Sequence, residues 1–281
     1  MKYAENYFSD MKASRIHLLD LGWLGGDCGW FLPGAAGGAM TYSNRDPKRD
    51  WIEIPVTAAL VEHPDGNILF DTGIALDAME THEKGLMEAF PITKISGENS
   101  IEKQLRAIDL APGDVSFVVI SHLHLDHAGQ VRPFMDEKVP VIVQKRELQS
   151  ALSMLWQGKG GAYDMSDLMP LRGPNLTPIS DNYFEIVDGV AVEFTGGHTA
   201  GHQVMHVETR NGNFYTFTGD YMHLPREYEI EAKGWLLSDA DEWHSYIRKL
   251  KVMERARKAR IVISHDPEFW SKYPRAPKFL E

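Results

Sequence analysis

The chain has 281 residues, 43% apolar and 25% charged, an ordinary globular composition that excludes a disordered or fibrous protein. Its 29 basic and 40 acidic side chains leave a net charge of −11, which repels phosphate backbones and argues for a small substrate and no nucleic-acid partner. The single cysteine, Cys28, excludes an internal disulfide and a multi-thiolate metal site, so a reducing cytoplasm is the expected location.

The length is near the upper edge of what one core supports, so a single domain over residues 1–281 is expected. The first apolar stretch, Ile16 to Leu24, is interrupted by Asp20. No run approaches the roughly 20 apolar residues of a membrane span, and no signal peptide is read. RIHLLDLG, residues 15–22, predicts a strand. Residues 25–50, with six glycines, two prolines and three aromatics, predict a long loop, either a lid or an arm that contacts a second subunit. IPVTAALVEH and ILFDTG flank the turn residues PDGN and predict a hairpin.

Helical spacing follows over residues 101–109. VSFVVIS at 115–121 and PVIVQ at 140–144 then predict buried strands. KRELQSALSMLW predicts a helix, with Leu148, Ala151, Leu152 and Leu155 on its apolar side. Residues 184–219 read as strands, with an Asn211-Gly212 turn between two of them. Trp243, Tyr246, Ile247, Leu250 and Met253 mark one face of a helix capped by Ser238 and Asp239, and IVIS at 261–264 closes the sheets. This order predicts an α/β (α+β) fold of two packed sheets flanked by helices. ILFDTG and FYTFTGD echo each other weakly, each strand ending in an acid and a glycine.

The chemistry lies in HLHLDHAG, directly after the buried strand ending at Ser121. In extended backbone His122 and His124 project to one side and grip one ion, while Asp126 and His127 follow at a turn and face another. Further ligand candidates stand at strand ends: His198 in FTGGHTAGH, Asp220 in FTGD and His265 in ISHDP. They divide into His122, His124 and His198 for one ion and Asp126, His127 and His265 for the other, bridged by Asp220. Imidazoles and carboxylates without thiolate favour two divalent ions, zinc first, with iron, cobalt or manganese as alternatives. Such ions, about 4 Å apart, share and acidify a water and so predict hydrolysis by a bridging hydroxide. Asp126 is the candidate proton shuttle, with a ligand-only role as the alternative.

HLHLDH, GGHTAGH, TGD and SHD together resemble the metallo-β-lactamase-fold hydrolases, from about residue 15 to the C-terminus. The resemblance implies an αββα sandwich with metals at one edge. IPV before ALVEHPDGNILFDTG, IVQKRELQSAL and the ending HDPEFWSKYPRAPKFLE are similar to the N-acyl-homoserine and γ-butyrolactone lactonase group, which implies lactone-ring opening and often a homodimer. That group usually carries a tyrosine three residues after the bridging aspartate. His223 stands there instead, and the nearest tyrosine is Tyr221; either could donate a hydrogen bond to an oxyanion, or neither reaches. The histidine keeps another ester, such as an organophosphate, as the alternative substrate, with a thioester behind it.

Asp71 is expected either to orient a ligand imidazole or to serve as a turn carboxylate, and His202 to be structural. His17, His63, His82, His206 and His244 have no partner pattern. Cys28, Trp30, Phe31 and Met40 would line an acyl pocket or pack on a second subunit.

Overall fold

The computed structural model describes residues 12–33, 40–47 and 49–281. Two mixed sheets carry the architecture. The first runs β4-β1-β2-β3-β5-β6-β7, with β1 Arg15–Asp27, β2 Trp51–Glu62, β3 Asn67–Phe70, β4 Ile92–Lys94, β5 Val115–Val119, β6 Val141–Gln144 and β7 Leu176–Ile179. Pairing is antiparallel from β4 to β3 and parallel from β3 to β7. The second runs β12-β11-β10-β9-β8, with β8 Tyr183–Val187, β9 Val190–Phe194, β10 Gln203–Glu208, β11 Phe214–Phe217 and β12 Arg260–Val262; only β11 and β12 are parallel.

Strand periodicity assigns the layers. On β1, Ile16 and Leu18 face the second sheet and pack with Phe70, Val192, Met205 and Phe217, whereas Leu19 and Leu21 face outward to Leu105, Leu86 and Phe134 under the helices. On the far side of the second sheet, helix Ala240–Arg257 lays Trp243, Tyr246, Ile247 and Leu250 against Val204 and Ile263. Asp239 caps that helix by accepting from Glu242 N at 2.9 Å, as its sequence signal predicts. The layering is helix, sheet, sheet, helix.

Three boundaries differ from the sequence reading. The first strand does not stop near residue 22: it continues to Asp27 past a register shift between Asp20 and Trp23, where Gly22 takes φ +109°. Residues 195–202 leave the strand pattern and form the loop that carries His198. The expected 25–50 loop therefore starts later, and its residues 34–39 and 48 lie outside the described residues.

Trp243 is fully buried and its indole N–H donates to Tyr221 O at 2.8 Å. Trp243→Ala is expected to cost about 3–5 kcal/mol of unfolding free energy in urea titrations. A loss under about 1 kcal/mol would contradict this packing.

Candidate metal centre

The ligand candidates collect at the C-terminal ends of strands from both sheets. His122 and His124 follow β5, Asp126 and His127 sit in the short helix Leu125–Ala128, His198 is in the β9–β10 loop, Asp220 follows β11 and His265 follows β12. All are buried. They fall into two groups, His122, His124, His198 and Asp220, and Asp126, His127, His265 and Asp220, with donor atoms within 4.8 Å of one another in each. The Asp220 carboxylate stands between the groups. Its Oδ1 lies 3.0 Å from His127 Nε2 and 2.7 Å from His265 Nε2, while its Oδ2 lies 3.4 Å from His198 Nε2 and 3.7 Å from His122 Nε2.

Outer hydrogen bonds set which nitrogen faces inward. His198 Nδ1 donates to Leu236 O at 3.0 Å and His265 Nδ1 to Pro55 O at 2.7 Å. His127 Nδ1 donates to Asp71 Oδ2 at 2.8 Å. Ser121 Oγ gives its proton to Asp71 Oδ2 at 2.9 Å and so accepts from His122 Nδ1 at 3.0 Å. These outer bonds to Nδ1 leave the Nε2 atoms of His122, His127, His198 and His265 facing one another and Asp220. His198 Nε2 is 3.1 Å from both His122 Nε2 and His124 Nδ1, and His265 Nε2 is 3.4 Å from His127 Nε2. Asp220 Oδ1, although buried, has no hydrogen bond among the described residues. Imidazole and carboxylate donors that converge within 4.8 Å in each group, around a buried carboxylate oxygen with no hydrogen bond among the described residues, fit a divalent metal.

Burial dominates the titration of the first group and holds His122 and His198 well below the usual imidazole range and His124 down to about 3, neutral as ligands must be. Burial opposes protonation of His127 and His265 too, but Asp220 and Asp126 outweigh it and lift both. The second group thus carries an excess of negative charge that a cation neutralises.

Asp71 is an imidazole-orienting residue. It sits in the left-handed region at φ +66°, and besides His127 it accepts from Ser121 N at 2.7 Å. His202 stays outside both groups: its Nδ1 meets Thr195 Oγ1 at 2.8 Å. His17, His63, His82 and His206 are buried with partners away from the centre, and His244 is exposed.

The two oxyanion-donor candidates part company. Tyr221 is turned away into the core beneath helix Ala240–Arg257, where its ring stacks 5.7 Å from Trp243 and its hydroxyl donates to Trp243 O. The 3-10 turn Gly219–Tyr221 points Asp220 and Tyr221 in different directions, so the tyrosine is corrected to a packing residue. His223 reaches the centre, with Nε2 3.0 Å from Asp220 Oδ2. It lines a pocket with His124, Asp126, Asp220 and an apolar wall of Leu24, Phe31, Ile54, Phe90, Leu125, Ala162 and Leu236. Of the four loop residues expected at an acyl pocket or a subunit contact, Phe31 lines this pocket. Cys28 is buried, Trp30 packs on Phe90, and Met40 is exposed.

Sequence reading missed two supports. Glu147, in helix Lys145–Trp156, is fully buried and ties together the loops carrying the first three histidines. Its Oε1 accepts from Leu123 N at 3.1 Å and Tyr163 Oη at 2.9 Å, and its Oε2 from Thr199 Oγ1 at 2.7 Å and Gly201 N at 2.9 Å. The second support is the buried pair Lys233 and Glu227 behind His223, 3.0 Å apart. Glu147→Ala strands those four donors and is expected to lower stability by about 3 kcal/mol or more in urea, with Glu147→Gln losing less. Equal losses for the two variants would contradict this bonding.

The family model of the metallo-beta-lactamase superfamily matches residues 51–265. The N-acyl homoserine lactonase AttM of Rhizobium radiobacter is 32% identical over 236 residues, 81% of this chain and 88% of its own. The N-acyl homoserine lactonase AiiA of Bacillus thuringiensis subsp. kurstaki is 30% identical over 222 residues, 77% of this chain and 83% of its own. A solved N-acyl homoserine lactone hydrolase, with N-hexanoyl-L-homoserine bound at its catalytic metal center, superposes with a TM-score of 0.78 at 26% identity, covering 96% of this chain and 100% of that one. By its fold, its paired His/Asp groups and these matches, the chain belongs to the metallo-β-lactamase superfamily.

Proposed function

We propose that this protein is a two-metal lactonase that opens the ring ester of N-acyl homoserine lactones or related γ-lactones. The observation that carries the reading is the Asp220 carboxylate shared by two buried histidine groups at the floor of an apolar-walled pocket. His122, His124 and His198 would hold one ion and Asp126, His127 and His265 the other, with Asp220 common to both; the thiolate-free set favours zinc. When bound, two such ions supply Lewis acidity to a carbonyl and bring the pKa of water close to neutrality.

The chain's own groups do the remaining work. The apolar wall receives the hydrocarbon part of the substrate and excludes bulk water. His223 Nε2–H donates to the substrate carbonyl oxygen as negative charge develops there. Water oxygen adds to the carbonyl carbon, the ring C–O bond breaks, and the ring oxygen departs as a hydroxyl after taking one proton. Asp126, which lines the pocket, carries that proton from the water to the ring oxygen. The product is an open-chain hydroxy acid, ionised at neutral pH.

The relatives named above are N-acyl homoserine lactonases, which favours this substrate class. His223, in place of the tyrosine, favours an organophosphate as the second reading. A buried lone thiol at Cys28 favours a reducing cytoplasmic location, and exposed Met40 and Tyr42 favour a second copy packing on that loop.

Purified without chelator, the protein is expected to hold about two zinc ions per chain, and His124→Ala and Asp220→Asn to lose both bound metal and turnover. Elemental analysis below one ion per chain would defeat the two-metal reading. A panel of short- and long-chain acyl homoserine lactones, γ-butyrolactone, a lactoyl thioester and paraoxon, read by proton release, separates the substrate classes. No lactone turnover above buffer would sink the assignment. On the best substrate, His223→Ala is expected to lower kcat by about 10²–10³, and Tyr221→Phe to leave kcat within about twofold, since its hydroxyl serves the core. The reverse ranking would reassign the donor.

A further inference from the structure

His223 carries a proton on Nε2 only if Nδ1 stays bare, and imidazole alone shows no strong preference between the two. Behind it, Lys233 Nζ is buried with three close neighbours: Asp220 O at 2.9 Å, His223 Nδ1 at 2.9 Å and Glu227 Oε1 at 3.0 Å, with Tyr221 O farther at 3.3 Å. An ammonium has three hydrogens and no lone pair, so these near neighbours use one hydrogen each and all must accept. Nδ1 can accept only unprotonated. A hydrogen on Nδ1 would set two donors face to face at 2.9 Å without solvent, and the carboxylate oxygen Glu227 Oε1 is farther from that nitrogen, at 3.5 Å.

Burial pulls the Lys233 ammonium below its usual range, and Glu227 is the strongest influence favouring the charged form. Its Oε1 pairs with Lys233, and its Oε2 takes the His223 backbone N–H and Leu224 N at 2.7 Å, so one carboxylate holds both the lysine and the backbone of the histidine. Both side chains are fully buried. A buried ion pair is seldom a gain in stability over apolar packing, which leaves the orientation of its neighbour as what the pair secures. The Phe31 ring, 4.9 Å from the His223 ring, closes the pocket side.

We infer that Lys233, held by Glu227, is a positioning residue that locks His223 as the Nε2–H tautomer and so makes it an obligate hydrogen-bond donor to the substrate oxygen. The donor function rests on the lactonase reading; the tautomer lock does not. A tyrosine hydroxyl rotates freely and donates without help, whereas a histidine in the same place needs a partner behind it to fix its proton. Asp220 Oδ2, 3.0 Å from Nε2, favours that tautomer from the pocket side, and the ion pair is the partner that fixes it from behind.

The test is nitrogen NMR of the zinc-loaded protein labelled with 15N-histidine, in which the His223 resonances are identified by their loss in His223→Gln. The expected pattern is an unprotonated Nδ1 and a protonated Nε2. In Glu227→Gln/Lys233→Met, which removes both charges and strands neither, His223 is expected to show mixed tautomers. In that variant kcat on the lactone should fall about tenfold or more, with KM changed less than about threefold. A protonated Nδ1 in the unaltered protein, or a variant that keeps the Nε2–H tautomer and its kcat, would overturn the assignment. The tautomer is read without substrate, so a protein with the expected pattern but no lactone turnover supports the Lys233 assignment and overturns the lactonase reading instead.

Discussion

The structure depends on a carboxylate placed where it has no water to solvate it. Asp220 is buried at the seam of two sheets, with imidazole nitrogens from both groups around it and one oxygen without a hydrogen bond among the described residues. An isolated buried carboxylate costs several kcal/mol, and the penalty is tolerable only where positive charge lies close by. The αββα arrangement meets that requirement by ending strands of both sheets at one rim. His122 and His124 arrive from the first sheet, and His198, Asp220 and His265 from the second. Neither sheet alone could surround Asp220, so packing between the sheets and assembly of the site are one event.

Precision in such a site comes from the layer behind it. The inward-facing nitrogens of His122, His127, His198 and His265 are set by what each ring does outward, and the outward acceptors are two backbone carbonyls, a buried acid and the Ser121 hydroxyl. Asp71 and Asp220 reach His127 from opposite sides, one on Nδ1 and one on Nε2. The weak echo between ILFDTG and FYTFTGD thus has a physical counterpart, since β3 and β11 each end by delivering an acid to the same imidazole. Glu147 acts at longer range by joining the loops after β5 and β9, which carry the three histidines of the first group.

Much of this was legible because the signals were local. HLHLDH needs only strand geometry and the next turn to place four donors, and the Trp243, Tyr246, Ile247, Leu250 series needs only the helical period. What escaped depends on distant chain. In KRELQSALSMLW, Glu147 has the look of a surface charge in a helical first turn, and nothing nearby announces that loops at 123 and 199–201 will bury it. Lys233 lies in an unpatterned stretch and meets Glu227 and His223 only after the chain folds back. The choice between Tyr221 and His223 was open for the same reason. It turns on how a three-residue 3-10 turn rotates, and that rotation is set by Gly219 at φ +49°, where an added Cβ would lie 2.9 Å from Ser121 Cβ.

The histidine itself shows how a departure from a family pattern can be absorbed. Replacing a phenol by an imidazole keeps a donor at the same offset but adds a second nitrogen and a choice of tautomer. An unconstrained ring would spend part of its time with a lone pair, not a hydrogen, toward a developing oxyanion, and that orientation repels the charge it should stabilise. A neighbour that only donates removes the choice, and a charged one does so most strongly in a dry interior. Lys233 is such a neighbour, and its own charge in turn requires Glu227. The substitution and the ion pair behind it are therefore one physical unit: the histidine explains why two opposite charges are buried side by side, and the charges explain why a histidine can stand there.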